Sequence, residues 1–195
     1  RVEVLVRRLF PWIMVMTAAC GTEEEPPPEG DDETVDFEAA GPYTPGTFAE
    51  TLEGSTAVSL RFQVWYPSQD EGSAKVSYDT QYAGDAYTDV SADCSSSRPV
   101  LLFSHGFMGI RWQSPFLVEH LASHGYIVAA PDHTANTFLD NDESRFLEVV
   151  ERRPQDLADV FDWLVAQSGE AGNELSGCVD DADGYAVSGH SFGGY

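Results

Sequence analysis

Basic side chains are scarce in this sequence: ten Lys and Arg stand against 33 Asp and Glu, a net charge of −23. Gripping a phosphate backbone needs clustered Lys and Arg, so a nucleic-acid partner is excluded. The acidic excess favours solubility and is silent about substrate. The five histidines show no zinc spacing. The stretch "DDADG", residues 180–184, lacks the twelve-residue spacing and terminal Glu of a calcium loop, so it reads as a turn. No metal and no other cofactor is expected. No internal repeat is visible, and the one long apolar stretch is too short for a comfortable membrane span. With 195 residues and 42% hydrophobic content, the chain can bury one sizeable core and form one domain.

That apolar stretch, "LFPWIMVMTAA", follows Arg1, Arg7 and Arg8 and leads through Ala18 and Ala19 into Cys20 and Gly21. Residues 1–20 read as an export signal. They resemble the lipobox of bacterial lipoproteins, although Thr17 stands where that pattern prefers Leu. The resemblance implies that Cys20 is lipidated and anchors the protein in the bacterial cell envelope. An ordinary secretory peptide cut after Ala19 is the alternative; both mean export. Residues 21–40, "GTEEEPPPEGDDETVDFEAA", are too acidic and Pro-rich to bury surface that would offset their ordering entropy. They read as a disordered tether, with residues 41–195 as the folded part.

In "AVSLRFQVWYP", Val58, Leu60, Phe62 and Val64 alternate with Ser59, Arg61, Gln63 and Trp65, the period of a half-buried strand. Residues 68–97 are polar and turn-rich, and their elements are not assigned. "PVLLFSHG" reads as a strand covered on both faces, "YIVAAP" as the next buried strand and "GYAVSGHS" as another buried strand. One helix follows the first of these, with Ser114 as N-cap, Pro115 at its first position and Gly125 as its stop. A second, "RRPQDLADVFDWLVAQSG", starts at Pro154 and carries Leu157, Val160, Phe161 and Leu164 as one apolar stripe. Strand, helix, strand, helix, strand predicts an α/β fold, a mostly parallel sheet with helices on both faces.

Residues 189–193, "GHSFG", match G-x-S-x-G after a strand, the setting of a nucleophile elbow with Ser191 as nucleophile. Such a serine sits on a sharp, strained turn, and side chains at 189 and 193 would collide as strand and helix close around it. Attack on an acyl carbon also needs donors for the developing oxyanion. The N–H of Phe192 is one, and the N–H of Phe107, in "SHGFMG" after an earlier strand, is the other. Loss of one such donor typically costs on the order of 3 kcal/mol of barrier.

The stretches "RPVLLFSHGFMG", "LASHGYIVAAPDHTANT", "RRPQDLADVFDWL" and "GHSFGGY", in this order and spacing, resemble one α/β-hydrolase group over residues 55–195. That group holds the platelet-activating-factor acetylhydrolases, dienelactone-hydrolase-like proteins and cutinase-type polyester hydrolases. The resemblance implies a carboxylic-ester hydrolase with a Ser–Asp–His triad, Ser191 mapping onto the nucleophile and Phe107 and Phe192 onto the oxyanion donors. Dienelactone hydrolases proper use cysteine, and this chain departs from them. In this fold the acid and histidine follow the serine, which predicts that they lie past Tyr195 and that these residues alone are an inactive N-terminal part.

Among the upstream histidines, His190 is expected beneath the elbow and His105 as a structural residue, with His120 and His124 on an exposed helix face. His133, at a strand's carboxyl end, is the one placed to line substrate, together with Trp112. Phe116 is either a pocket wall or ordinary core. The substrate is a small or polymeric ester. An acyltransferase and a non-catalytic binding module on the same scaffold are the alternatives. Finally, Cys94 and Cys178 precede by equal spacing the strands that carry the oxyanion loop and the elbow. These are neighbours in this fold, which predicts a Cys94–Cys178 disulfide rather than two free thiols.

Overall fold

A computed structural model of the chain describes residues 38–79, 82–182 and 184–195. The signal, Cys20 and nearly all of the tether lie outside these residues. Seven strands form one sheet: β1 (Thr44–Glu53), β2 (Ser59–Ser68), β3 (Lys75–Ser77), β4 (Ala83–Tyr87), β5 (Val100–Ser104), β6 (Ile127–Pro131) and β7 (Tyr185–Gly189). Their spatial order is β3-β4-β1-β2-β6-β5-β7. The half that carries the site, β6-β5-β7, is parallel, while β2 runs antiparallel to both β1 and β6. Helices α1 (Pro115–Ser123) and α2 (Phe146–Gly169) pack on the sheet.

The strands feed two cores by simple alternation. Phe62, Val64, Val100, Leu102, Ile127 and Ala129 point to the α2 side, where Leu157, Val160 and Leu164 meet them. Trp65, Phe103, Val128 and Ala130 point to the α1 side, against Val118 and Ala122. Burying one such side chain stabilises by roughly 1.5–3 kcal/mol, so this two-sided arrangement is the main cohesion of the domain.

The structure corrects the sequence expectations in several places. From Phe62 onward β2 is covered on both faces rather than half-buried, because it lies inside the sheet. Residues 68–97 hold β3 and β4, and β1 pairs with β2 along its whole length. Ser114 does occupy the N-cap position of α1, but its side chain makes no capping bond; its carbonyl accepts from Leu117 and Val118. Helix α2 starts at Phe146, so Pro154 lies inside it and not at its first turn. Strand β7 is the outer strand of the described sheet and largely exposed, with Val187 at 55%.

Cys94 and Cys178 are joined as a disulfide, their Cα atoms 4.4 Å apart. The Arg98 carbonyl and N–H pair with the backbone of residues 178–180 nearby, so the bridge sits at the ends of β5 and β7 remote from the elbow. Among the described residues no helix is long and apolar enough to cross a membrane, and no three His, Cys, Asp or Glu side chains cluster as metal ligands.

Candidate active site

Strand β7 pairs with β5 up to Ser104 and Gly189, and the next N–H, that of His190, donates to the Ser104 carbonyl at 3.1 Å. The chain then turns abruptly. Ser191 has φ of 51°, a left-handed conformation that a residue with a side chain adopts at a cost of about 1–3 kcal/mol. It opens a short 3₁₀ turn, Ser191–Gly194, closed by the Gly193 N–H donating to the His190 carbonyl at 2.8 Å. A Cβ at Gly189 would strike the Gly193 backbone, and one at Gly193 would strike the backbone of Ser104 and His105. The glycines are therefore a steric requirement of the turn, and Ser191 is left exposed at its apex.

The 105–109 turn abuts this elbow. A Cβ on Gly106 would meet the His190 ring at 3.0 Å. The Gly106 N–H donates to the Gln113 side chain at 2.9 Å, the Gly109 N–H donates to the Gly106 carbonyl at 2.9 Å, and Met108 takes φ of 56°. Arg111 fastens the far end of the loop, donating through its N–H and its guanidinium to Asp132 at 2.7 and 2.6 Å. The Phe107 ring packs on Phe192 and Phe146, with centroids 6.4 and 6.1 Å away, so both proposed oxyanion residues share one aromatic cluster. Among the described residues neither the Phe107 nor the Phe192 N–H donates to a backbone acceptor.

Below the turn lies a buried polar relay that sequence reading did not anticipate. Its members come from β5, the end of β6 and α2. His105 and His133 are fully enclosed. His105 donates through Nδ1 to the Gly106 carbonyl at 2.7 Å, while its Nε2 accepts the His133 N–H at 3.1 Å. That pattern fixes a neutral ring, and burial first, then His133, lowers its pKa to about 3. The His133 ring lies between Asp156, 2.8 Å from Nδ1, and the Ser104 hydroxyl, 3.0 Å from Nε2. Burial first, then Arg153 and Arg152, holds its pKa well below the ordinary value. Burial likewise raises the Asp156 carboxyl to about 6, against the opposing pull of Arg152. A neutral His133 donating to an Asp156 carboxylate is the arrangement these shifts favour.

His133 thus lines no substrate surface: α2 closes over the β6 end that the sequence placed at the crevice, and both ring nitrogens are engaged. Ser104, His133 and Asp156 have the hydrogen-bond order of a catalytic triad, but Ser104 is 3% exposed and its hydroxyl also accepts from Arg153 at 3.2 Å. That hydroxyl is committed to both His133 and Arg153. The sequence forewarned of the relay only in the structural reading of His105 and in the spacing of Arg152 and Asp156, one helical turn apart.

The remaining candidates separate. Trp112 is buried but borders a hollow of about 390 Å³ with Tyr82, Met108 and Phe138, beside the 105–109 turn. Phe116 is neither core nor pocket wall near the elbow; it is 78% exposed on α1. His120 and His124 meet edge-to-face with ring centroids 4.6 Å apart and are half-buried, and His190 is exposed rather than tucked beneath the elbow. A second hollow, about 420 Å³, lies under the elbow between Ser104, Arg153, Leu157, Val187 and Phe192; Ser191 does not border it.

With this geometry in view, comparisons with known proteins give a consistent picture. The family model described as chlorophyllase matches residues 90–195. A solved ferulic acid esterase from Streptomyces cinnamoneus superposes with a TM-score of 0.58 at 24% identity, covering 78% of this chain and 53% of that one. At that identity the likeness is one of fold, that of an α/β-hydrolase, and the chain spans about half the length of the esterase. No curated protein matches.

Proposed function

Because the chain belongs to the chlorophyllase family, we propose that it is the nucleophile-bearing part of an exported serine carboxylic-ester hydrolase. The observation that carries the reading is the left-handed Ser191 at the end of β7, held against the 105–109 turn by glycines that leave no room for side chains. In the proposed mechanism Ser191 Oγ attacks the ester carbonyl while a general base takes its proton. The N–H groups of Phe107 and Phe192 receive the oxyanion. The proton passes to the departing alkoxide, and water, deprotonated by the same base, then releases the acid from the acyl-enzyme.

The enclosed His105 and His133 are committed to other bonds and are not proposed as the base; in this fold the triad's acid and histidine follow the serine in chain order. The complete triad, and with it the activity, belong to the whole protein. The exposed rings of Phe107 and Phe146 and the half-buried ring of Phe192, with Trp112 beyond Met108, favour an uncharged acyl or aryl group at the mouth. Export by the 1–20 signal and anchoring through a lipidated Cys20 complete the proposal.

Initial rates on p-nitrophenyl esters of increasing acyl length test it in the full-length protein. Ser191→Ala should lower kcat by at least about 10³-fold; comparable rates from both proteins would refute the assignment. Incorporation of radiolabelled fatty acid, lost in Cys20→Ala, tests the anchor.

A further inference from the structure

One buried cation touches both segments that carry the proposed oxyanion donors. Arg153, on α2, is 6% exposed. Its Nη1 donates to the His105 carbonyl at 2.6 Å and to Ser104 Oγ at 3.2 Å. Its Nη2 donates to Asn136 Oδ1 at 2.6 Å and approaches the Gly106 carbonyl at 3.5 Å. The guanidinium carbon stands 4.4 Å from the centre of the Phe192 ring.

The Gly106 carbonyl belongs to the same peptide unit as the Phe107 N–H. Three groups hold that oxygen: Arg153 Nη2, His105 Nδ1 and the Gly109 N–H. The described chain has no cis peptide bond, so the N–H of a planar trans unit points opposite to its carbonyl. Fixing the oxygen inward therefore aims the Phe107 N–H outward. Donors on a carbonyl also polarise its amide and strengthen the hydrogen bond that the N–H can give. At the second donor, the cation over the Phe192 ring holds the residue whose N–H completes the pair.

Resting on the reading of Ser191 as nucleophile, we propose that Arg153 is the positioning residue of the oxyanion hole, setting the Phe107 amide through its peptide carbonyl and the Phe192 amide through its ring. Arg153 touches no substrate. Burial lowers its pKa only to about 10, so it stays charged at neutral pH. Lysine can replace the charge but not the planar fork that reaches two carbonyls, Asn136 and the ring together.

The test compares wild type, Arg153→Met, Arg153→Lys and Asn136→Ala in the full-length protein, with rates counted per fluorophosphonate-titrated site. Arg153→Met should lose about 10²-fold in kcat with KM changed less than about threefold, the size of effect that a misplaced oxyanion donor gives. Affinity for a trifluoromethyl ketone, which forms a tetrahedral anion on the serine, should fall by the same factor as kcat/KM. Arg153→Lys should recover only part of the loss, and Asn136→Ala, which frees Nη2 but keeps the charge, should show a smaller fall in kcat. Should Arg153→Met not fold, the last two variants carry the same comparison. Unchanged kcat per titrated site, or a loss confined to the fraction of titratable sites, overturns the proposal. A wild type that neither cleaves esters nor reacts with fluorophosphonate overturns the hydrolase reading and this inference together.

Discussion

The backbone carbonyl of Ser104 fills the space that a side chain on Gly193 would need. The elbow can therefore close onto the end of β5 only with glycine at 193. Gly193→Ala should push the 3₁₀ turn off β5, lowering the rate of fluorophosphonate labelling by more than about 10²-fold and stability by roughly 1–3 kcal/mol. Active-site titration and urea unfolding measure the two effects. Gly189→Ala, which meets the Gly193 backbone, should behave alike.

The Cys94–Cys178 bridge spans 84 residues of sequence. Closing a loop of that length constrains the unfolded chain by about 4.5 kcal/mol. Denatured, unreduced protein should show no reactive thiol from these two positions, and Cys94→Ser with Cys178→Ser should lose about that much stability in urea unfolding.

Acidification should destabilise the fold. His105, near 3, and His133, well below 6.5, stay neutral in the native state, whereas unfolded histidines take up protons below about 6.5. Asp156, raised to about 6, works the other way, because the native state holds one proton that the unfolded carboxylate has released. Two protons bound by the unfolded state outweigh one bound by the native state. Stability should therefore fall from pH 7 to pH 5 by about 2 kcal/mol. Calorimetry at the two pH values gives the answer, and an unchanged or higher Tm at pH 5 would contradict it.

Removing the His133 ring leaves the Asp156 carboxylate and the Ser104 hydroxyl enclosed without a shared partner. Arg152 still pairs with Asp156 and Arg153 with Ser104, so His133→Ala should cost about 1–3 kcal/mol, the penalty for leaving buried polar groups one hydrogen bond short. Equilibrium unfolding in urea checks it.

What could be read from the sequence follows from which constraints are local. Glycines at 189 and 193 are required by backbone contacts within the turn, so the pattern announces the turn. The apolar runs of β5 and β6 announce strands covered on both faces. The start of α2 was hidden because Pro154 resembles a first-turn proline, although the helix begins at Phe146. The relay was hidden for a different reason. Arg152, Arg153 and Asp156 look like a solvated helix face, and only pairing with Thr134, His105, Asn136 and His133 from distant segments makes their burial tolerable. Strand β1 was missed because "TPGTFAETLE" carries Pro, Gly and few apolar residues, and gains its order from pairing with β2.

The molecule contains two serines with a claim to the chemistry: Ser191, exposed on a left-handed turn, and Ser104, enclosed with His133 and Asp156. Peptide mapping by mass spectrometry after fluorophosphonate treatment of the full-length protein decides between them. The adduct should lie on Ser191, with Ser104→Ala still labelled and Ser191→Ala not. An adduct on Ser104, or labelling that survives Ser191→Ala, would contradict the account.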